Sequence, residues 1–257
     1  MITRLREMLS KFERFEIRHL NIGLEIKIPL SHNLLTEGVK YIEKKYPELT
    51  DLKYDEEEDK ITFTNLFEKK ENRSFFKIQD SKLIDFIINP LFSDNFESLL
   101  RGFCDVAENG FRIFNLNIEL FKFEIVTRAL WNGNHYKLFN KTFIDKKFFN
   151  SLYGQDMVID NNLSFRGFLG QNRLFVIKFL SNVDPSEILN NKFTSSQLDI
   201  LCGIGQIRGF NDDSNLIKIL TDHIEISFDF FVNKFCQNVL TPINESISLL
   251  EKEKEMQ

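Results

Sequence analysis

From Leu20 to Ile28 every second residue is apolar: Leu20, Ile22, Leu24, Ile26 and Ile28. A period of two predicts a half-buried strand, and Pro29 ends it. Before it, Leu5, Met8, Leu9 and Phe12 fall at helical spacing, so residues 2–14 read as a short amphipathic helix. Leu34, Leu35, Val39 and Ile42 predict a second helix over 34–46, stopped by Pro47. Four short apolar runs follow, at 52–54, 60–67, 73–78 and 82–88. The polar breaks between them (DEEED, EKKEN and QDS) are hairpin-sized, so 49–89 reads as a meander. A helix over roughly 94–108 comes next, capped by Ser93 or Asp94 and ending near Asn109-Gly110.

Residues 116–131 form the second strong strand. Leu116, Ile118 and Leu120 alternate in one phase; Phe121, Phe123 and Ile125 take the other. That change of phase predicts a bulge or burial on both faces. A short helix is expected at 145–153, a hairpin from 163–170 and 172–180 about Gly170-Gln171-Asn172, and a strand at 197–205. From Asp212 or Asp213 to about 253 the chain reads helical, with a stripe of Leu216, Leu220, Ile224, Phe228, Phe231 and Phe235 that Pro242 should kink or break. Runs of strands between single helices predict an α+β fold: antiparallel sheet meanders, packed helices and a long C-terminal helix. No linker divides the chain. A two-part organisation would place an N-terminal half at 1–112 and a C-terminal half at 113–257, with a single domain as the alternative.

Composition narrows the classes. The chain has 257 residues, 28 of them Phe and only two of them Ala, which points to an AT-rich genome rather than to a function. Apolar residues at 42% and charged residues at 28% are those of a globular protein. A net charge of −5 is a poor start for nucleic-acid binding. Cys104, Cys202 and Cys236 are far apart and make no CxxC, so no metal site is expected and reducing cytoplasm suits them. No apolar stretch is long enough to span a membrane.

No catalytic signature is present, no catalytic residue is assigned, and the chain reads as a non-enzymatic protein without cofactor. There is no GxSxG elbow, and no pair among His19, His32, His135 and His223 has metal-ligand spacing. His135, in a polar loop, is the acid/base candidate by residue type; His223 reads as a helix-surface residue. Asp199 is the one acid in a plainly apolar strand, and alternation turns it away from Leu198 and Ile200, towards solvent. Residues 203–210 carry Gly203, Gly205 and Gly209 with Arg208 in a GxGxxxG pattern, which is not a dinucleotide fingerprint. This segment resembles the glycine-rich loop of the repeat-associated RNA endoribonucleases of CRISPR systems. The resemblance implies RNA contact. Apart from it, Arg128, Arg166, Arg173 and Lys178 are cations on or beside predicted strands with aromatic neighbours, an arrangement that suits single-stranded nucleic acid.

The terminal helix offers a different role. Ile219, Ile226 and Phe230 lie outside its main stripe and Phe231 within it, so the helix is apolar on more than one side. Such a helix is buried by its own domain and, on the remaining side, by a protein partner or a second copy. The succession as a whole resembles an uncharacterised, sporadically distributed bacterial family met in mobile or defence-type gene neighbourhoods. The resemblance runs through LNIGLEIKIP, a helix ending in KKYPEL, FFKIQDSKLIDFII, IVTRALWN, the strand LDI, and a helix carrying His223 and DFFVNKF. The Asn that the family places after the strand Arg is matched only approximately. It implies a setting in antiviral defence or toxin–antitoxin biology, and no activity. Two expectations therefore stand: a protein-interaction component that pairs with another subunit or with itself, and a nucleic-acid-binding protein as the alternative.

Overall fold

The computed structural model describes residues 7, 15–47, 52–55, 60–64, 74–88, 96–131, 162–170, 172–181, 196–207 and 215–255. The helices expected at 2–14 and 145–153 lie outside them, apart from Glu7, which is helical. The fold is α+β, built on one nine-stranded antiparallel sheet in the order β2-β3-β4-β5-β1-β6-β9-β8-β7. The strands are β1 (Phe15–Ile26), β2 (Leu52–Asp55), β3 (Lys60–Thr64), β4 (Ser74–Gln79), β5 (Leu83–Ile88), β6 (Ile118–Trp131), β7 (Asn162–Phe168), β8 (Arg173–Ser181) and β9 (Ser196–Ile207). Helix α1 spans His32–Lys45, and α2 spans Phe96–Asp105 and runs into a wide π turn at Val106–Gly110. The terminal helical run is α3 (Leu216–Phe230), a π segment (Phe231–Leu240) and α4 (Thr241–Glu255).

The helices pack on one face of the sheet, and the alternation seen in the sequence aims the core at them. Leu20, Ile22 and Leu24 of β1 stand in register with Ile125, Phe123 and Phe121 of β6, and all six are buried. Phe76 and Phe86 extend the same face to β4 and β5, where Phe103 of α2 stacks on Phe86 at 5.2 Å. Phe228 of α3 stacks on Phe123 at 5.5 Å. Aromatic pairs at such distances contribute beyond their buried area, about 0.5–1.5 kcal/mol each.

Two bulges keep this face continuous. Between Ile17 and His19, β1 gains Arg18 with no opposite number; between Glu25 and Ile26 the register against β6 shifts back. The second shift falls at Glu119 and is the phase change legible in the sequence, because it returns Ile118 and Phe121 to one face. The first moves β1's start to Phe15, five residues before the expected strand, since Phe15 and Ile17 share the core face across the bulge.

The two halves have one topology. In each, the first strand (β1 or β6) is followed by a meander whose last strand (β5 or β9) returns to pair with it, and a helix then crosses the sheet. β1 and β6 pair with each other at the centre, so the sheet is continuous through both halves. The boundary expected near residue 112 lies in the connection from Phe111 to Asn117, between α2's π turn and β6.

The helix ends follow capping chemistry. The Ser31 hydroxyl accepts from Leu34 N–H to open α1, and the Asn215 side chain does the same for Lys218 to open α3. Glu108 also accepts from the Leu216 amide at 2.8 Å, fastening the start of α3 to the helix of the other half. Asp105 fixes α1 to α2. Its carboxylate accepts from Tyr41 and Tyr46 hydroxyls and from Lys45 at 2.6 Å. Pro242 does not stop the terminal run. The helix widens to π turns over Phe231–Leu240, where Thr241 N–H bonds Cys236 carbonyl, and continues through Pro242 to Glu255.

Candidate interaction surface

The sheet face away from the helices carries two buried aspartates. Asp85, on β5, is paired by Lys77 and Lys122 at 3.2 Å each. Asp199, on β9, is held by Arg128 at 3.0 Å and by Arg18. Asp199 does not reach solvent as its alternation suggested: its side chain is 4% exposed because two guanidiniums cover it. The pairs cross the central seam in both directions. Lys122 of the second half reaches Asp85 of the first, and Arg18 of the first half reaches Asp199 of the second. Gly23 makes the Lys122 crossing feasible, because a Cβ there would sit 2.0 Å from Lys122 Cε. Asn21 donates to Glu124 at 2.8 Å across the same seam. Burial holds His19 below its ordinary pKa of 6.5, with the charge of Arg18 acting the same way, Asp199 opposing it and Arg128 adding to it. This face is locked by internal ion pairs rather than poised for proton transfer.

An apolar strip lies at the other side of the molecule, where α3 meets the β7 end of the sheet. Phe230 of α3 packs at a tilt against Phe175 of β8, ring centroids 5.5 Å apart, and both rings remain partly exposed. Phe165 of β7 is 54% exposed with its edge against Phe179, and Ile226 of α3 is 36% exposed. Among the described residues β7 is the last strand of the sheet, and no described strand pairs with its outer side. Phe168, 75% exposed, stands on the opposite face of β7 with Arg166.

The residues singled out in the sequence are distributed as follows. Ile226 and Phe230 are on the strip, and Ile219 packs partly buried against the core. Phe231 is fully buried and belongs to the core, ring to ring with Phe235 at 5.2 Å, so it is not an interaction residue. Gly203 and Gly205 are not in a loop: they lie within β9, opposite Glu124 and Lys122. Arg208, Gly209 and His135 lie outside the described residues. Arg128 is bound to Asp199, Arg166 is exposed on the face of Asp199, and Arg173 is on the helix face opposite Gln206, so the arginines do not form one surface. The reason is strand parity: even-numbered β8 residues pair onto the second face and odd-numbered ones onto the helix face.

His223 is not a surface residue. It is buried under α3, where Nε2–H donates to Ile204 carbonyl at 2.9 Å and the ring lies 6.4 Å from Phe121. Burial lowers its pKa, the Ile204 bond opposes that, and Arg173 lowers it further. Burial raises all three thiols, Cys236 to about 12, so they act as small hydrophobes. Among the described residues no group of His, Cys, Asp and Glu could hold a metal ion, and no helix is long and apolar enough to cross a membrane.

Among the described residues, the apolar strip, the outer side of β7 and the ion-paired second face are the surface features of this α+β fold. Neither a protein-family model nor a curated protein matches the chain.

Proposed function

We propose that this protein is a non-enzymatic interaction component that docks a protein partner, or a second copy of itself, on the strip formed by Phe165, Phe175, Ile226 and Phe230. The observation that carries this reading is the partly exposed, tilted Phe175–Phe230 ring pair near β7, which has no strand on its outer side among the described residues. Large aromatic side chains left half in water gain from being covered. The bacterial defence or toxin–antitoxin setting comes from the family resemblance in the sequence alone.

The test is native mass spectrometry of the full chain and of the pair Phe165→Ser and Ile226→Ser, both of which touch exposed positions. A defined complex in the wild type, lost in the double variant with its circular dichroism unchanged, supports the reading. A monomer in both, with equal hydrogen exchange along β7 and α3 in the presence and absence of co-expressed neighbouring gene products, sinks it.

A second reading rests on Arg166, Lys178 and Phe168, which share the second face at the β7–β8 hairpin. A cation pair beside an exposed ring suits single-stranded nucleic acid. Binding that weakens with salt and is lost in Arg166→Glu would favour it over the protein-docking reading.

A further inference from the structure

Among the described residues of the second half, two buried polar atoms have no hydrogen-bond partner: Arg173 Nε and His223 Nδ1. They belong to the same corner of the fold. His223 reaches from α3 to the Ile204 carbonyl of β9, and Arg173 lies on β8 opposite Gln206, two residues further along β9 and on the same face. His223 is 1% exposed, and its Nε2–H is committed to that carbonyl, so Nδ1 carries the lone pair and faces no donor. Among the described residues no carboxylate pairs with Arg173. Buried groups of this kind are rarely left orphaned without a water or an ion to meet them.

The fold does not require polarity at this corner. In the first half, the corresponding helix meets the last two strands of its meander through aromatic rings, Phe103 against Phe76 and Phe86. The second half places a cation and an imidazole there instead.

We propose that Arg173 and His223 form a binding site for a small oxyanion of the phosphate, sulfate or carboxylate class. One anion oxygen accepts from Arg173 Nε–H. A second accepts from His223 Nδ1–H once the ring has taken up a proton, while Nε2–H stays on Ile204. The uncompensated charge of Arg173 favours an anion over a neutral water. Among the described residues, Phe121 on β6 and Ile204 on β9 meet the imidazole, and Arg173 on β8 is the charged group that acts on it. Without an anion, burial and, after it, the charge of Arg173 disfavour protonation of the ring; an anion opposes both, so binding and proton uptake are coupled.

Sulfate is the probe, because it carries no proton of its own near neutrality. The full chain is titrated with sulfate against chloride at matched ionic strength, following the unfolding midpoint and the imidazole carbon signals of His223. The midpoint should rise with sulfate, the His223 signals should move towards the protonated form, and apparent affinity should strengthen as pH is lowered. Arg173→Gln should abolish all three. An equal midpoint rise in wild type and Arg173→Gln would be general salt exclusion and would overturn the proposal. A His223 signal that ignores sulfate would overturn it as well, leaving the corner to ordered water.

Discussion

At the scale of single residues, exposure decides what an ion pair is worth. Asp199 is almost wholly buried and accepts from two arginines, whereas Arg18 is 47% exposed. Asp199→Asn removes the charge that both guanidiniums face, and hydrogen bonds to a charged group are worth about 1.5–3 kcal/mol, so a loss of that order is expected by urea denaturation. Arg18→Ala should cost under about 1 kcal/mol, because water replaces a half-exposed partner. Gly23 gives a sharper case. Its added Cβ would meet the stem of Lys122, not a loose tip, with Cγ at 2.5 Å. Gly23→Ala should cost about 1–3 kcal/mol and break the pair with Asp85. In a Lys122→Ala background the same change should cost little, and a double-mutant cycle measures that coupling; additive effects would contradict it.

At the scale of elements, α1 depends on a close approach. A Cβ on Gly38 would lie 2.1 Å from Phe111, a ring that is itself fully buried and stacked on Phe76. The ring has nowhere to go, so Gly38→Ala should destabilise by about 1–3 kcal/mol and raise hydrogen exchange in α1 before other elements. Much of this architecture was legible. The meander at 52–88, the hairpin at 163–180 and the helix to Gly110 appear where turn residues and alternation put them. The bulge in β6 was visible as a phase change, because Leu116–Leu120 and Phe121–Ile125 could not share one face of a regular strand. What sequence could not show was pairing between distant strands. Asp199 looked solvent-facing because its parity is opposite to Ile200, which is true; the arginines that bury it come from residues 18 and 128. His223 looked like a surface residue beside Asp222 and Glu225, yet it sits on the stripe of Leu220 and Ile224 that faces β9. Arg173 and Arg166 looked like neighbours until hairpin register put them on opposite faces.

At the scale of the whole molecule, buried histidines set the response to acid. His19 and His223 both have folded values below 6.5, burial being the main cause. Above pH 6.5 they are neutral in folded and unfolded chains alike and cost nothing. As pH falls below 6.5 the unfolded chain takes up protons first, so stability drops through the window between 6.5 and the lower folded values. Asp105 acts in a lower window. Burial opposes its ionisation, but bonds from Lys45, Tyr46, Tyr41 and Asn109 outweigh that and hold it below 3.8. Its contribution is present above 3.8 and is lost as pH falls further. Thermal unfolding between pH 7 and 5 should therefore show a falling midpoint, and His19→Gln should flatten part of the fall; a midpoint constant over that range would contradict it.

The seam between β1 and β6 has a consequence for how the chain is made. A ribosome releases β1 through β5 long before β6, so the first half emerges as a five-stranded sheet with a bare central edge. Until residues 118–131 follow, Asp85 lacks Lys122, and Arg18 waits for Asp199 still longer. A message truncated before β6 would thus yield a product that exposes the edge of β1, with the buried Leu20, Ile22 and Leu24 left without β6 beside them, and such a fragment should precipitate or be degraded rather than persist.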